Sequence, residues 1–166
     1  PEWIAALTRI NEDVAHPGWL RRHSYFFDIL YHRYQAAHNP YVKEYYSFVR
    51  QGYTGPTWEL QKKRLRLLRD LVQASGGRFM VVTFPFLQSL GEHYEYRNAH
   101  EQLDRLWTQL NVPHLDLLNS FTNLSREKLT VNRYDAHPNE FANAIAARAI
   151  DAFLVQQLKT NALPVP

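Results

Sequence analysis

The chain predicts an α/β fold built on a parallel sheet, and three observations carry that expectation. Arg78-Phe79-Met80-Val81-Val82-Thr83-Phe84 is a near-continuous apolar run between Gly76-Gly77 and Pro85, the pattern of a strand covered on both faces. After Thr57 the patterns follow the order helix, strand, loop, helix, strand, loop, helix. The final helix holds alanines where a helix must pack closely on its neighbours.

The elements read as follows. Glu2 to Val14 is a helix with Trp3, Leu7, Ile10 and Val14 on one face, stopped by His16-Pro17-Gly18. A second helix runs from Trp19 to about Ala37, with Leu20, Phe27, Leu30, Tyr31 and Tyr34 inward. Tyr41 to Pro56 is aromatic and punctuated by Gly and Pro, so it reads as a long surface loop with room for one helical turn. Thr57 caps a helix from Trp58 to Ala74 whose apolar line is Leu60, Leu65, Leu68, Leu71 and Val72. The strand over 78–84 should be buried on both faces. A polar loop with Gln88, Ser89, Glu92, His93, Tyr94 and Tyr96 follows it. Helix Ala99 to Leu110 leads through Val112-Pro113 into a short strand, His114 to Leu117. Repeats, low-complexity tracts and domain linkers are absent, so residues 1–166 read as one domain.

Composition excludes several classes. Hydrophobic residues make up 45% and aromatics 14%, which is a globular composition. A net charge of +3, from 19 basic and 16 acidic residues, is too small an excess to demand nucleic acid. Without cysteine there is no disulfide, thiolate metal site or cysteine nucleophile. No apolar run approaches the roughly 18 residues of a membrane span, and no signal peptide is visible. The chain opens on Pro1-Glu2-Trp3 without an initiator Met, so a processed or truncated N-terminus is expected.

Chemistry concentrates in Tyr134-Asp135-Ala136-His137-Pro138-Asn139-Glu140-Phe141. Pro138 is pre-set for a first helical turn, and Asn139 and Glu140 suit its free N–H groups. The helix that follows repeats Phe141, Ala144, Ile145, Ala149, Ala152 and Phe153 at helical spacing. His137 is therefore held on a short loop anchored by a buried helix, as a general base must be.

Asp-Ala-His-Pro-Asn ahead of an alanine-rich terminal helix resembles the last conserved block of the SGNH (GDSL-type) serine hydrolases. There an Asp and a His complete a triad whose Ser lies near the N-terminus. The family block usually places two residues between Asp and His, whereas only Ala136 intervenes here. The resemblance is strongest over residues 57–156 and implies the C-terminal part of a three-layer α/β/α, flavodoxin-like parallel sheet. Its activity would be ester hydrolysis, with O-acetyl groups on carbohydrate among the candidate substrates, or the related acyl transfer. It implies no cofactor and no metal.

The nucleophile is missing. No glycine is followed by Asp-Ser or Asn-Ser, and neither a Gly-x-Ser-x-Gly elbow nor the family's Gly-x-Asn-Asp block occurs. The resemblance thus implies that His137 and Asp135 are catalytic here and that the serine comes from a preceding segment. A capping or turn role also explains Asp135. Asp116, ending the second strand, is an alternative orienter of His137, and Pro85 and Phe86 could line a cleft or simply begin a loop. Ser89, Ser120 and Ser125 read as loop or cap serines. His93, His100 and His114 lack the close spacing of zinc ligands. The group Lys62, Lys63, Arg64, Arg66 and Arg69 reads as a solvated helix face. The competing class is a non-catalytic binding module that docks through this basic helix and through Tyr41, Tyr45, Tyr46, Phe48 and Tyr53.

Overall fold

The computed structural model describes residues 2–40, 45–91, 93–133 and 135–160, and it divides into two compact units at Gly55. Tyr41, Glu92 and Tyr134 lie outside the described residues, as do the side chains of Trp3, Leu7, Ile10 and Tyr46.

The first unit is helical. Helix α1 spans Glu2–Ala15, α2 Trp19–His23, α3 Tyr25–His38 and α4 Tyr45–Gln51. The single helix expected over 19–37 is broken at Ser24, whose backbone is extended (φ −147°, ψ 108°). Of the aromatic stretch expected as a loop with one helical turn, Tyr45–Gln51 is helical, as α4. Arg21 joins three helices. Its Nη1 donates to Asp13 Oδ2 at 2.7 Å, its Nε donates to Asp28 Oδ1 at 3.0 Å, and its guanidinium lies 3.9 Å from the Tyr31 ring centre. The inward side of α3 is thereby the polar one, and Leu20, Phe27, Leu30 and Tyr34, expected inside, are exposed.

The second unit opens with α5, Gly55–Ala74. It starts ahead of the expected Thr57 cap. It ends in a Schellman turn: Gly77 N–H donates to Val72 O at 2.9 Å and Gly76 N–H to Gln73 O at 3.0 Å. Gly76 sits at φ +78°, where a Cβ would be strained. Strand β1, Val81–Thr83, pairs in parallel with β2, His114–Asp116, in the register Val81↔His114. Helix α6, Arg97–Gln109, joins them, and α7 (Arg126–Leu129) and α8 (Glu140–Thr160) follow.

The expected three-layer α/β/α sheet is not present among the described residues. The sheet has two strands of three residues each, and helices dominate the described chain. Both strands stop for local reasons. Pro85 lies two residues past β1. The Asp116 carboxylate accepts the Leu118 N–H at 2.9 Å and turns the chain into a 3-10 helix over Leu117–Phe121. Burial of β1 on both faces is also corrected: Val82 is 38% exposed and Phe84 39%. Two short strands cannot be covered throughout: His100 and Asp104 of α6 meet Asp116 and His114 on one face, and Leu115 packs on the core from the other, while Val82 stays exposed.

The core lies beyond the C-terminal ends of the strands. Leu87 follows β1, Leu117 and Phe121 follow β2, and these pack with Leu129, Ala142 and Ala146. Helix α8 buries Phe153 and packs Ile145 and Ala149 on the core as expected, but Phe141 is 49% exposed and Ala142 and Ala146 are buried in its place.

Candidate functional site

The loop between α7 and α8 carries His137, and its ends are fixed before any chemistry is considered. Leu129 and Ala142, both 0% exposed, anchor it in the core on either side. A small antiparallel closure lies between them, where Thr130 bridges Pro138 and the Val131 N–H donates to His137 O at 3.0 Å. Asn139 locks this closure. Its N–H donates to Leu129 O at 2.9 Å, and its Nδ2 donates to Lys128 O at 2.9 Å and Thr130 O at 3.1 Å. Its Oδ1 accepts the Ala142 N–H at 3.0 Å, which makes Asn139 the N-cap of α8. Pro138 therefore precedes the helix instead of starting it.

Within the loop, Asn132 Oδ1 accepts the Asp135 N–H at 2.9 Å. The Asp135 Oδ1 accepts the His137 N–H at 3.0 Å and lies 2.6 Å from His137 Nδ1. An ionised carboxylate only accepts, so Nδ1 carries the proton and Nε2 presents its lone pair. The hydrogen bonds from the His137 backbone N–H and then from its ring hold the Asp135 carboxyl below the usual carboxylate range. The imidazole is 87% exposed, and no described residue bonds its Nε2. Because α8 packs on the segment that leaves β2, the loop stands on the side of the strands' C-terminal ends.

Asp116 is committed elsewhere. Its two carboxylate oxygens lie 2.8 and 2.9 Å from His100 Nδ1, and His100 Nε2 meets the Tyr94 hydroxyl at 3.1 Å. The Phe86 N–H donates to that hydroxyl at 3.0 Å. Burial would raise the Asp116 pKa, but bonds from His100 and the Leu118 N–H outweigh it and hold the carboxylate low. His100 is 6% exposed, so this is a buried chain joining α6, the loop after β1 and the end of β2. A second chain runs alongside: His114 Nδ1 lies 3.1 Å from Asp104 Oδ1 and its Nε2 2.8 Å from Thr83 Oγ1. Helix and strand exchange acid for base at successive turns. Neither chain was readable from sequence, because the partners stand 6 to 31 residues apart.

Of the other candidates, Pro85 is buried and Phe86 half-buried with its ring 4.8 Å from that of Tyr96; both help pack the loop after β1. Ser89 belongs to a 3-10 turn, Ser120 to the one after β2, and Ser125 precedes α7. None has a hydrogen bond to His137 among the described residues. No group of three potential metal ligands occurs among the described residues. No helix among them is long and apolar enough to cross a membrane.

No protein-family model matches the chain, and neither does any curated protein or solved structure. The Asp-x-His-Pro-Asn string thus stands on its own geometry.

Proposed function

We propose that Asp135 and His137 are the acid and base of an acyl-ester hydrolase or acyltransferase whose nucleophilic serine and oxyanion donors lie outside these 166 residues. The observation that carries this reading is the 2.6 Å contact between Asp135 Oδ1 and His137 Nδ1, with Nε2 turned outward. That is the arrangement in which an acid fixes the tautomer and the opposite nitrogen receives a proton.

In this reading Nε2 takes the proton of a serine hydroxyl as the hydroxyl oxygen bonds to the ester carbonyl carbon. The tetrahedral intermediate then collapses, the ester C–O bond breaks, and the Nε2 proton passes to the departing alkoxide. Water, deprotonated by the same nitrogen, attacks the acyl-serine; the bond to the serine oxygen breaks, that oxygen takes the proton back, and the acid leaves. If an acceptor alcohol takes the place of water, the product is a transferred acyl group. The substrate is a small-molecule or carbohydrate acyl ester.

Exposure of the imidazole supports a shared site. A base in open water gives little acceleration, and a second surface that excludes water and supplies the hydroxyl completes it. The test is active-site labelling with a serine-directed phosphonate. The isolated chain should not label, whereas the same chain within its longer natural protein should label once, at a serine outside this segment. Stoichiometric labelling of the isolated chain at Ser89, Ser120 or Ser125 would overturn the proposal.

A further inference from the structure

Helix α5 turns leucines outward. Trp58 is buried on its inward side and Leu65, Arg69 and Val72 are half-buried there. The Arg69 guanidinium ties that side to α6, donating to Leu110 O at 3.0 Å. The opposite side carries Leu60 (49% exposed), Leu67 (62%), Leu68 (47%) and Leu71 (68%). Arg64, also exposed, stands in their midst: Leu60 lies four residues before it, and Leu67, Leu68 and Leu71 three, four and seven after it. Positions 60, 64, 67, 71 and 74 step alternately by four and three, the repeat of a seam into which a second helix packs. Whatever covers these leucines covers the Arg64 guanidinium with them.

That charge chooses the occupant, because a buried guanidinium must be paired. The acids of α5 are Glu59 and Asp70, and they pair with Lys62 and Arg69. Lys63, Arg64 and Arg66 have no acid partner among the described residues. The other long helices of this unit do not offset them: α6 sets Glu101 and Asp104 against Arg97 and Arg105, and α8 sets Glu140 and Asp151 against Arg148 and Lys159. A second copy would bring three more unpaired cations to the same helix. A bilayer would take the guanidinium in among the leucines without a fixed counter-charge. A helix with its own apolar seam and carboxylates beside it meets both needs. We infer that α5 docks an acidic amphipathic helix of a partner protein, with a Glu or Asp of that helix set against Arg64. The inference concerns α5 alone and is independent of the ester-hydrolase reading.

The test is fluorescence anisotropy of a labelled peptide about three heptads long, with Leu at its a and d positions and Glu at e and g, titrated with the 166-residue chain. Binding should saturate and weaken as salt rises. It should exceed that of a scrambled peptide of the same composition by about tenfold or more. The double change Leu67→Gln and Leu71→Gln should weaken it by about tenfold or more, since both side chains leave water on binding. Arg64→Glu should weaken it as much, and this variant should instead prefer the peptide whose glutamates are replaced by lysine. These side chains are exposed, so the helical circular dichroism should persist. Leu158→Gln, at a residue 63% exposed on α8, should leave binding unchanged. Absence of saturable binding, equal binding of the scrambled peptide, or equal binding by the Leu67/Leu71 variant overturns the inference. So does pelleting with phosphatidylserine vesicles, or a dimer in analytical ultracentrifugation, that the same two changes abolish, because the face would then belong to a membrane or to a second copy.

Discussion

The carboxylate of Asp116 faces His100 Nδ1 with both oxygens, at 2.8 and 2.9 Å, and so cannot serve His137. One acid stands in each histidine's reach, and they are different acids. Asp135→Asn should therefore find no substitute in Asp116. In the longer protein its turnover should fall by on the order of 10³-fold or more, the cost of a wrong imidazole tautomer. Steady-state ester hydrolysis reads this directly, and near-parental turnover would mean that another group orients the ring.

Removing one end of the buried chain should cost stability. Asp116→Asn or His100→Ala leaves polar groups between α6 and β2 without their partners, at a cost of about 1–3 kcal/mol. The shift should appear in urea denaturation midpoints of the isolated chain. Labelling or turnover of the longer protein should stay at the parental level when the variant is assayed folded.

Acid should act through the same residue. The folded pKa of Asp116 is depressed, so its contribution is fully present above the unfolded carboxylate value near 4 and is lost as pH falls through the lower folded value. Urea midpoints measured downward from about pH 5 should decline, and more shallowly in Asp116→Asn. The Asp135 carboxyl, depressed by His137, should titrate closer to its ordinary range in His137→Ala by carboxyl NMR.

Packing differs sharply between two apolar residues that look alike in sequence. Val82→Ala should cost under about 1 kcal/mol, since Val82 is 38% exposed. Leu129→Ala should cost about 2–5 kcal/mol, because Leu129 is 0% exposed and truncation opens a cavity. Equal costs would show that the outer face of β1 is covered.

Asn139 holds the His137 loop as well as the helix. Asn139→Ala removes the α8 cap and two carbonyl partners, and should cost about 1–2 kcal/mol. The His137–Asp135 geometry should loosen with it, so the Nδ1–H resonance of His137 should exchange faster with water than in the parent.

Local relationships were legible in the sequence. Asp135 and His137 are two residues apart, so their contact needs only a turn, and Asn139 announces a helix start by its side chain. The strand sites were legible too, since Val81–Thr83 and His114–Asp116 fall within the runs that foretold them. Layering was not. An apolar run such as Phe79 to Phe84 states that burial is wanted without stating what supplies it; here α6 covers one face of the strands, and on the other Leu115 meets the core while Val82 stays exposed. The inverted α3 was hidden for a related reason. Arg21 recruits Asp13 and Asp28 from two helices, and that network, set by long-range geometry, overrides the apolar stripe. The chains through His100 and His114 likewise depend on how α6 lies on the sheet.

The most direct measurement is ester turnover by the longer natural protein with and without His137→Ala. Turnover on an activated acetyl ester should fall by on the order of 10³-fold or more in the variant, with substrate binding and folding retained, because triad members act as a unit. Turnover within a few-fold of the parent would contradict it, and His137 would then be an exposed turn residue with no part in the chemistry.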